Sequence, residues 1–483
     1  MQISLAIAPL SPSPAPGHTI IMAPASLPVT PAGRWHPEFS AVTLSGGRVQ
    51  SATGLNGPGV SAGAAGLGPL AHTDANGRRV WRFNGDAYLD LAQGLTFSNR
   101  NLSVFAVVRG GGGGVFGLGN VTGYGGGSTA VNAGGAALNT LASPTAPYLG
   151  AFGRAANADA VNGPDVVLGS QLQVAGVVSR TTANGGMRLS INDKAAAASQ
   201  PSINSGLADG AEIGRNPYSP GASGGWARMD LYELVVYDRG LTDAEAAAVS
   251  AALMDHYGIA PITGQMVMDG DSITAGAGIT NFWETAAYVA SEPGTGRIPA
   301  GFRVVSVAIS GNQVSHLVAR RDAASSWINT LMPGKQNILA VEVGRNDFGS
   351  GGKTATEHYA AFIAYLNAAT LGVLQKGWTV RVMVNISSGA SLMTQITAYR
   401  AMLRSPQFLT DTVSGPGQAF EGRVSLVPLD LITHGASGTV FDTAADASDT
   451  AYFQPDLTHP NALGAWARIT GADTPQYGVI GGL

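Results

Sequence analysis

The sequence contains no cysteine, few charged residues and no long apolar run. The absence of cysteine excludes disulfides, thiolate metal sites and a cysteine nucleophile. Charged residues make up 12% of the 483 residues, which is about half of the ~25% typical of soluble proteins. No apolar run approaches the roughly 18 residues that a membrane-spanning helix needs. We therefore expect neither a disulfide-stabilised scaffold nor insertion into a membrane.

The distribution of charged residues does not predict a nucleic-acid-binding surface. Lys and Arg number 27 against 31 Asp and Glu, which gives a formal net charge of −4. A nucleic-acid surface normally requires a basic patch, and no block of Lys and Arg occurs. What is abundant is glycine, with 67 residues. A glycine-rich chain with 45% hydrophobic residues favours strands and turns around a buried core.

Residues 1–33 form a proline-rich N-terminal arm. No Lys or Arg precedes Arg34, and prolines interrupt the apolar residues from Pro9 onward. A secretory signal needs a basic start and a continuous apolar stretch, so we expect no cleavable signal peptide. Two interpretations stay open for the arm. It is either a disordered tail or an anchoring segment that becomes ordered against a partner.

Residues 34–258 show short β-prone runs separated by Gly, Asn and Asp, a pattern typical of a β-sandwich. Asn192-Asp193 predicts a tight hairpin turn. Thr242 and Glu245 have the spacing of a capping box, which predicts a helix that runs to about Tyr257 and stops at Gly258. The predicted strands are 80–83, 102–108, 174–178, 187–191 and 229–237.

This region resembles laminin-G and concanavalin-like jelly-roll domains. The resemblance is carried by Trp81 to Leu89 (WRFNGDAYL) and Leu231 to Arg239 (LYELVVYDR), followed by the capped helix. It implies a jelly-roll sandwich that either binds carbohydrate or serves as a structural spacer. No spacing typical of a calcium loop is present. The aromatic candidates for a sugar-binding face, each of which could instead be a core or loop residue, are Tyr124, Tyr148, Tyr218 and Trp226.

Residues 259–483 alternate between strand-like and helix-like segments. Strands are predicted at 265–268, 303–307, 338–343, 380–384 and 424–429, and helices between them at 316–331, 357–375 and 393–403. Such alternation indicates a parallel sheet with helices on both faces. Ligands bind these sheets beyond the carboxyl ends of the strands, so chemistry is expected there.

Three polar segments stand at those strand ends, and a fourth stands before another predicted helix at 461–469. They are Gly270-Asp271-Ser272-Ile273-Thr274, Ile309-Ser310-Gly311-Asn312, Gly344-Arg345-Asn346-Asp347 and Asp456-Leu457-Thr458-His459-Pro460. A serine hydroxyl needs an adjacent base to act as a nucleophile, and histidine suits that role near neutral pH. Asp456 precedes His459 by three residues, so one turn lets its carboxylate orient the imidazole. Ser272, His459 and Asp456 are therefore the predicted catalytic triad.

The order and spacing of these segments resemble the SGNH (GDSL) hydrolase family over about residues 264–475. The resemblance implies a flavodoxin-like three-layer α/β domain with strand order 2-1-3-4-5 and serine esterase activity without metal or organic cofactor. It also implies an oxyanion hole formed by the backbone N–H groups of Ser272 and Gly311 and the side chain of Asn346. We expect glycine at 311 because a side chain there would obstruct the acyl oxygen.

The sequence also predicts roles for three residues that adjoin the proposed catalytic residues. Asp271 is expected to order the nucleophile loop through backbone hydrogen bonds, and Asp347 to brace the Asn346 loop. Arg345 is expected to face substrate or solvent. The loops at 274–283, 312–317 and 348–356 are rich in Gly, Ser and Asn, which predicts an open, polar cleft.

The whole chain is thus predicted to be multidomain, with an arm at 1–33, a sandwich at 34–258 and a hydrolase domain at 259–483. A sandwich that binds polysaccharide beside an esterase favours a carbohydrate ester, above all an O-acetyl group, as substrate. The arm and the Gly/Ala-rich sandwich resemble phage tail, spike or fibre proteins, including those of phage-like gene transfer agents.

That resemblance implies a homo-oligomer on the surface of a virion-like particle, attached to capsid or tail proteins through the arm and used in host attachment. Extracellular release is also compatible with the sequence. Two alternatives stay open. One is an exported bacterial polysaccharide esterase, and the other is a glycan-binding or structural spike without catalysis.

Overall fold

The fold is given by a computed structural model of the chain. It describes residues 23–62, 67–91, 102–110, 113–119, 137–143, 146–152, 160–167, 170–180, 186–198, 210–215, 227–279, 281–291, 298–323, 331–368 and 370–481. Most of the predicted arm, up to residue 22, lies outside these residues.

Strands β1 to β17 form the first half of the described chain, and every pairing among them is antiparallel. Their bounds are β1 Gly33–Trp35, β2 Val42–Ser45, β3 Arg48–Ala52, β4 Val60–Ala62, β5 Leu70–Thr73, β6 Arg79–Asn84, β7 Leu89–Leu91, β8 Leu102–Arg109, β9 Gly113–Gly119, β10 Ala137–Ser143, β11 Ala146–Phe152, β12 Ala160–Val167, β13 Gln173–Ser179, β14 Met187–Ile191, β15 Lys194–Ala198, β16 Gly210–Ile213 and β17 Arg228–Tyr237.

Sixteen of these strands pair in two consecutive runs, and β1 pairs with β17. One run is β5-β6-β17-β8-β13-β14-β15, and the other is β2-β3-β4-β7-β16-β9-β10-β11-β12. Arg48 of β3 pairs with Leu70 of β5 where the runs meet. A core of buried side chains from both runs, including Trp35, Trp81 and Leu89, packs together. The antiparallel architecture is as predicted, whereas the jelly-roll connectivity stays a prediction.

Local signals in the sequence match the structure of this half closely. Strands β6, β8, β13, β14 and β17 cover the five predicted runs. Asn192 and Asp193 join β14 to β15 as a two-residue hairpin turn, with Asn192 at φ 52°. Helix α1, Asp243–Tyr257, begins with the predicted capping box and ends at Gly258 in the left-handed conformation.

The second half contains a five-stranded parallel sheet in the order β19-β18-β20-β21-β22. Numbered within this sheet, the order is 2-1-3-4-5, as predicted from the resemblance. The strands are β18 Gly264–Gly270, β19 Phe302–Ser306, β20 Gln336–Glu342, β21 Thr379–Met383 and β22 Val424–Val427. Separate buried clusters pack against this sheet, one with Val341 and Phe362 and the other with Met268 and Ile469.

Nine further α-helices occur among the described residues of this half. They are α2 Ser272–Ala275, α3 Ala286–Ala290, α4 Val314–Asp322, α5 Arg345–Phe348, α6 Ala355–Leu366, α7 Ala390–Arg404, α8 Pro406–Asp411, α9 Ala444–Ala447 and α10 Ala462–Thr470. Within the described residues no helix is long and apolar enough to cross a membrane.

Two predicted helices are shorter than expected. Helix α6 ends at Leu366 instead of continuing to 375, because the segment from 370 turns tightly around Gly372, whose absent side chain lets Ala368 and Leu366 backbone approach. Helix α4 ends at Asp322 instead of reaching 331, because Ala323 adopts an extended conformation. In both cases the composition favours a helix beyond the residue at which the backbone leaves the helical conformation.

The two halves share a buried polar contact that the sequence did not reveal. Arg82 and Asp230, on β6 and β17, form a two-bond ion pair at 2.7 Å, and the Tyr288 hydroxyl from α3 donates to Asp230. Arg109 lies over the Tyr288 ring, 3.5 Å from its centroid, and donates to the Tyr288 carbonyl at 2.5 Å. Phe282, in the segment before α3 that was predicted to line the cleft, is buried beside Gly110 of the antiparallel half.

Candidate active site

The nucleophile candidate Ser272 lies at the carboxyl end of the central strand β18. Gly270 ends that strand at φ 151°, and a Cβ there would lie 2.1 Å from the Glu342 carbonyl oxygen of neighbouring β20. Only glycine allows this close approach of the two strands. Asp271 then caps helix α2, because its Oδ1 accepts a hydrogen bond from the Ile273 N–H at 3.0 Å. Ser272 is consequently the first residue of a short, fixed helix.

The structure brings Ser272, His459 and Asp456 together in the arrangement of a catalytic triad. Ser272 Oγ lies 2.7 Å from His459 Nε2, and His459 Nδ1 lies 2.5 Å from Asp456 Oδ2. These contacts connect a serine hydroxyl, a base and an orienting carboxylate in one line. Ser272 and His459 are 187 residues apart in sequence, so the fold alone brings them together.

Asp456 and His459 share one tight turn. The second carboxylate oxygen of Asp456 accepts the backbone N–H groups of Thr458 and His459, each at 2.9 Å. Leu457, between them, has a positive φ of 57°. Burial alone would raise the pKa of Asp456, but the hydrogen bonds from His459 and Thr458 hold this pKa below its ordinary value. Asp456 is therefore a carboxylate at neutral pH.

The three predicted oxyanion donors follow the ends of three neighbouring strands, β18, β19 and β20. The Ser272 N–H stands in the first turn of α2, where no carbonyl four residues earlier in the helix can accept it. Gly311 is exposed at φ 82°, and Asn346 stands on α5 directly after β20. The Asn346 amide donates to the Asn312 carbonyl at 3.0 Å, while the Asn312 amide donates to the Gly270 carbonyl at 3.2 Å.

The backbone gives an additional reason for glycine at position 311. Gly311 has a positive φ, a conformation in which an L side chain is strained. A Cβ there would meet no protein atom within 4 Å, so the predicted obstruction concerns the acyl oxygen of the substrate alone and stays a prediction.

The two predicted supporting carboxylates are both buried. Asp271 is fully buried beside Ser272, and burial together with the like charge of Glu342 raises its pKa to about 6. Asp347 accepts the Val314 N–H at 3.0 Å and the Lys353 ammonium at 2.7 Å, which ties the Asn346 loop to helix α4. Burial would raise the pKa of Asp347, but His358 and Lys353 lower it below its ordinary value.

Arg345 was predicted to face substrate or solvent, and this prediction is wrong. Only 5% of its surface is exposed. Its guanidinium points inward because backbone carbonyls accept its N–H groups, including those of Thr458 and, at 2.5 Å, Ser387. No sequence signal separates an inward from an outward arginine at this position.

Two further supporting residues were missed. Glu342, at the end of β20, forms a buried ion pair with Arg468 of helix α10. Gln454 donates its side-chain amide to the carbonyls of Ala277 and Pro460, at 2.8 and 3.0 Å. It therefore joins the loop after the nucleophile to the loop after His459. Neither residue lies in a motif, so only the folded chain reveals the contacts.

The predicted sugar-binding aromatics cannot be placed in the same way. Tyr124, Tyr218 and Trp226 lie outside the described residues, and Tyr148 is described only as part of strand β11. Across the described ranges no group of three or more His, Asp or Glu side chains could hold a metal ion.

Comparisons with known proteins give matches only among solved structures. A scan against family models finds no match, and a search of curated proteins also finds none. Solved structures similar to about 42% of the chain include GDSL-type lipases and esterases.

A GDSL-like lipase from Parabacteroides merdae is 16% identical with a TM-score of 0.31, over 43% of this chain and 95% of its own. The acetylxylan esterase Axe2 from Geobacillus stearothermophilus is 19% identical with a TM-score of 0.28, over 42% and 90%. Domain 4 of AbnA, a GH43 extracellular arabinanase from Geobacillus stearothermophilus, solved in complex with arabinotriose, is 13% identical with a TM-score of 0.29, over 46% and 98%.

Proposed function

We propose that this protein is a serine esterase of the SGNH type, with Ser272 as nucleophile. The observation that carries the proposal is the continuous hydrogen-bonded line from Ser272 Oγ through the His459 ring to Asp456. The site lies at the carboxyl ends of parallel strands, where α/β sheets bind their ligands.

Acyl transfer at this site follows from the positions of the three side chains. Ser272 Oγ attacks the ester carbonyl carbon while its proton passes to His459 Nε2. The same proton then goes from Nε2 to the leaving alcohol oxygen as the C–O bond breaks, which leaves an acyl-serine. Water then attacks the acyl carbon while it gives a proton to His459 Nε2. That proton passes from Nε2 to Ser272 Oγ as the bond between the acyl carbon and Oγ breaks, which releases the acid and restores the serine.

The negative charge that develops on the carbonyl oxygen requires fixed donors. Ser272 N–H, Gly311 N–H and the Asn346 amide supply them in this proposal. The Asn346 amide already donates to the Asn312 carbonyl, so one of its two N–H bonds is fixed and the other is available to the oxyanion. Preorganised donors of this kind each contribute about 3 to 4 kcal/mol to stabilising the transition state.

The proposed substrate is an O-acetyl ester on a polysaccharide. The turn of residues 456–459, named the catalytic turn, supports this choice because it lies at the surface: 47% of the Asp456 side chain and 22% of the His459 side chain are exposed. A bulky polymer can approach such a rim, whereas a buried tunnel would exclude it. The sandwich half would hold polymer near the site and raise its local concentration.

An aromatic group beside the catalytic turn also fits a sugar. Helix α10 begins three residues after His459 and presents Trp466 with 37% of its surface exposed. His434 lies against it, with ring centroids 5.8 Å apart, and is fixed by the Tyr452 hydroxyl at 2.7 Å from its Nδ1. We name Trp466 and His434 the aromatic flank.

The test is acetate release from O-acetylated xylan and O-acetylated bacterial capsule, measured beside hydrolysis of p-nitrophenyl acetate. The native protein should act on the small ester and on at least one polymer, and Ser272→Ala should lower kcat/KM at least about 10³-fold. Ser425→Ala, an exposed serine on the edge strand β22, is the matched control and should keep full activity. If the native protein hydrolyses none of these esters, the esterase proposal fails and a non-catalytic binding role takes its place.

A further inference from the structure

We infer that Arg345 is a positioning residue that holds the catalytic turn, residues 456–459, in register with Ser272. The inference rests on the proposed function, since it assigns how the base of that site is kept in place. Arg345 touches no reacting atom in this assignment. It acts through the backbone carbonyl of Thr458, the residue directly before His459.

The Arg345 guanidinium joins three loops with one planar group. It donates from Nη1 to the Thr458 carbonyl and from Nη2 to the carbonyls of Ser387 and Ile386, at 2.5 and 3.4 Å. Arg345 itself follows β20, Ile386 and Ser387 follow β21, and Thr458 precedes α10. Because a guanidinium has several donors in a fixed plane, these bonds set the distance and angle between the loops.

The catalytic turn needs restraint from outside itself. Leu457 at its tip has a positive φ and is 38% exposed, so neither its backbone preference nor burial holds the conformation. The Asp456 carboxylate accepts the N–H groups of Thr458 and His459, and the N–H of Gln454, just before the turn, donates to the His459 carbonyl at 2.8 Å. The Thr458 carbonyl is the part of the turn that Arg345 ties to the sheet.

Two nearby carboxylates lower the energetic cost of burying the Arg345 guanidinium. Burial lowers the pKa of the Arg345 guanidinium below its usual value, and the carboxylates of Asp271 and Glu342 offset part of that effect. Asp271 adjoins Ser272 in sequence, whereas Thr458 adjoins His459. One arginine therefore connects the surroundings of the nucleophile with the turn that carries the base.

The test compares Arg345→Met and Arg345→Lys with the matched control Arg400→Lys. Arg400 is another buried arginine, and its guanidinium donates to the carbonyls of Asn385, Phe441 and Asp442. None of these contacts belongs to the catalytic turn. On p-nitrophenyl acetate, Arg345→Met should lower kcat about 100-fold with KM changed less than about twofold, because displacing a catalytic group by ~1 Å has an effect of that size. Arg345→Lys, which keeps one donor to Thr458, should lose about tenfold, and Arg400→Lys should stay near the native kcat.

A second measurement does not depend on ester cleavage. The short hydrogen bond from His459 Nδ1 to Asp456 should give a downfield proton resonance in the native protein and in Arg400→Lys. That signal should broaden or vanish in Arg345→Met. A native protein that shows the signal but cleaves no ester would refute the proposed function and leave the positioning role to be decided by the spectra.

Two results overturn the inference. One is a folded Arg345→Met protein that keeps both the native kcat and the downfield proton. The other is failure of both Arg345 variants to fold while Arg400→Lys folds, which would make Arg345 a residue of the core instead of the catalytic turn.

Discussion

Asp456 is the most exposed side chain of the proposed triad, and its position depends on its own backbone. One carboxylate oxygen binds two N–H groups of the turn, which leaves the other oxygen for His459. Because each carboxylate oxygen has its own hydrogen-bond partners, the carboxylate stays oriented although it is exposed to solvent. Because the folded pKa of Asp456 is lowered, the stability that this pair adds is present above the ordinary value of 3.8 and is lost as the pH falls further.

Asp456→Asn should retain the fold and lose most of the activity. An amide at this position would present N–H to His459 Nδ1 or accept it only in a weaker bond, which disfavours the tautomer that can take a proton from Ser272. We expect kcat to fall by roughly 10³- to 10⁴-fold with a small change in the unfolding temperature. Steady-state hydrolysis of p-nitrophenyl acetate and a thermal melt measure both, and a loss of less than tenfold would speak against the triad.

Asp271→Asn should stabilise the protein at neutral and alkaline pH. The folded pKa of Asp271 is raised to about 6 from 3.8, so the folded chain holds the proton more tightly than the unfolded chain does. Ionising this buried carboxyl therefore destabilises the fold as the pH rises from 3.8 through 6, by about 3 kcal/mol in total. The amide removes that dependence while keeping an oxygen for the Ile273 N–H.

The measurement for Asp271→Asn is urea unfolding at pH 4 and pH 8. Relative to the native protein, the variant should gain about 2.5 kcal/mol between the two pH values, because part of the total effect is already present at pH 4. The exposed Asp255→Asn on helix α1 serves as the control and should track the native protein. An equal difference from the native protein at both pH values would contradict the assignment.

At the scale of single residues, the sequence predicted the proposed catalytic side chains better than the residues that hold them in place. The triad residues could be predicted because each stands in a segment whose order and spacing match a known hydrolase pattern. Arg345 was misplaced, and Gln454 was missed. Their roles consist of hydrogen bonds to backbone carbonyls of distant loops, and any residue can supply a carbonyl. Such contacts leave no pattern in the sequence.

Among the secondary-structure elements, helix α10 links the catalytic turn to the core. Its inward face places Arg468 against Glu342 at the end of β20, and its outward face presents Leu463 and Trp466. The helix is therefore both an anchor for the turn and part of the surface around the site. Its position was predictable from the sequence, whereas the ends of α4 and α6 were not, because helix-favouring residues continue past the last hydrogen-bonded turn.

Trp466→Ala should weaken action on polymer while sparing the small ester. Trp466 is exposed on the aromatic flank, so its removal leaves no core cavity, but it takes away a large apolar face for a sugar ring. We expect KM for O-acetylated polysaccharide to rise about tenfold and kcat/KM for p-nitrophenyl acetate to change less than twofold. Leu463→Ala, equally exposed one turn earlier, is the control for general loss of apolar surface.

Acetate release and p-nitrophenol release, measured on the same preparations, decide this point. Equal losses on both substrates would place Trp466 in the support of the catalytic turn. No loss on either would remove the aromatic flank from the proposed substrate surface.

For the whole molecule, the decisive feature is the buried contact between the antiparallel half and helix α3. Arg82, Asp230 and Tyr288 form a polar group with hardly any exposed surface. Helix α3 also packs against helix α10, so the antiparallel half is connected through α3 to the helix that follows the catalytic turn. The sequence divided the chain into parts but carried no sign of this contact, because each partner alone resembles an ordinary core or surface residue.

Arg82→Met should destabilise the protein strongly. The change leaves the Asp230 carboxylate buried without its cation, and breaking a buried ion pair in this way costs about 3–5 kcal/mol. The control is Arg79→Met on the same strand, which is exposed and should change the unfolding free energy by less than about 0.5 kcal/mol. Urea unfolding of both variants measures the difference, and equal stability would show that the pair contributes little.

The separation of 187 residues between Ser272 and His459 has a consequence for renaturation. Helices such as α7 and hairpins such as β14–β15 join near neighbours and can form early, but the reactive pair exists only after the chain has closed a loop of 187 residues. When denatured protein is diluted into buffer, circular dichroism should therefore recover before ester cleavage does. The delay between recovery of the circular dichroism and recovery of ester cleavage would measure how long that loop takes to close.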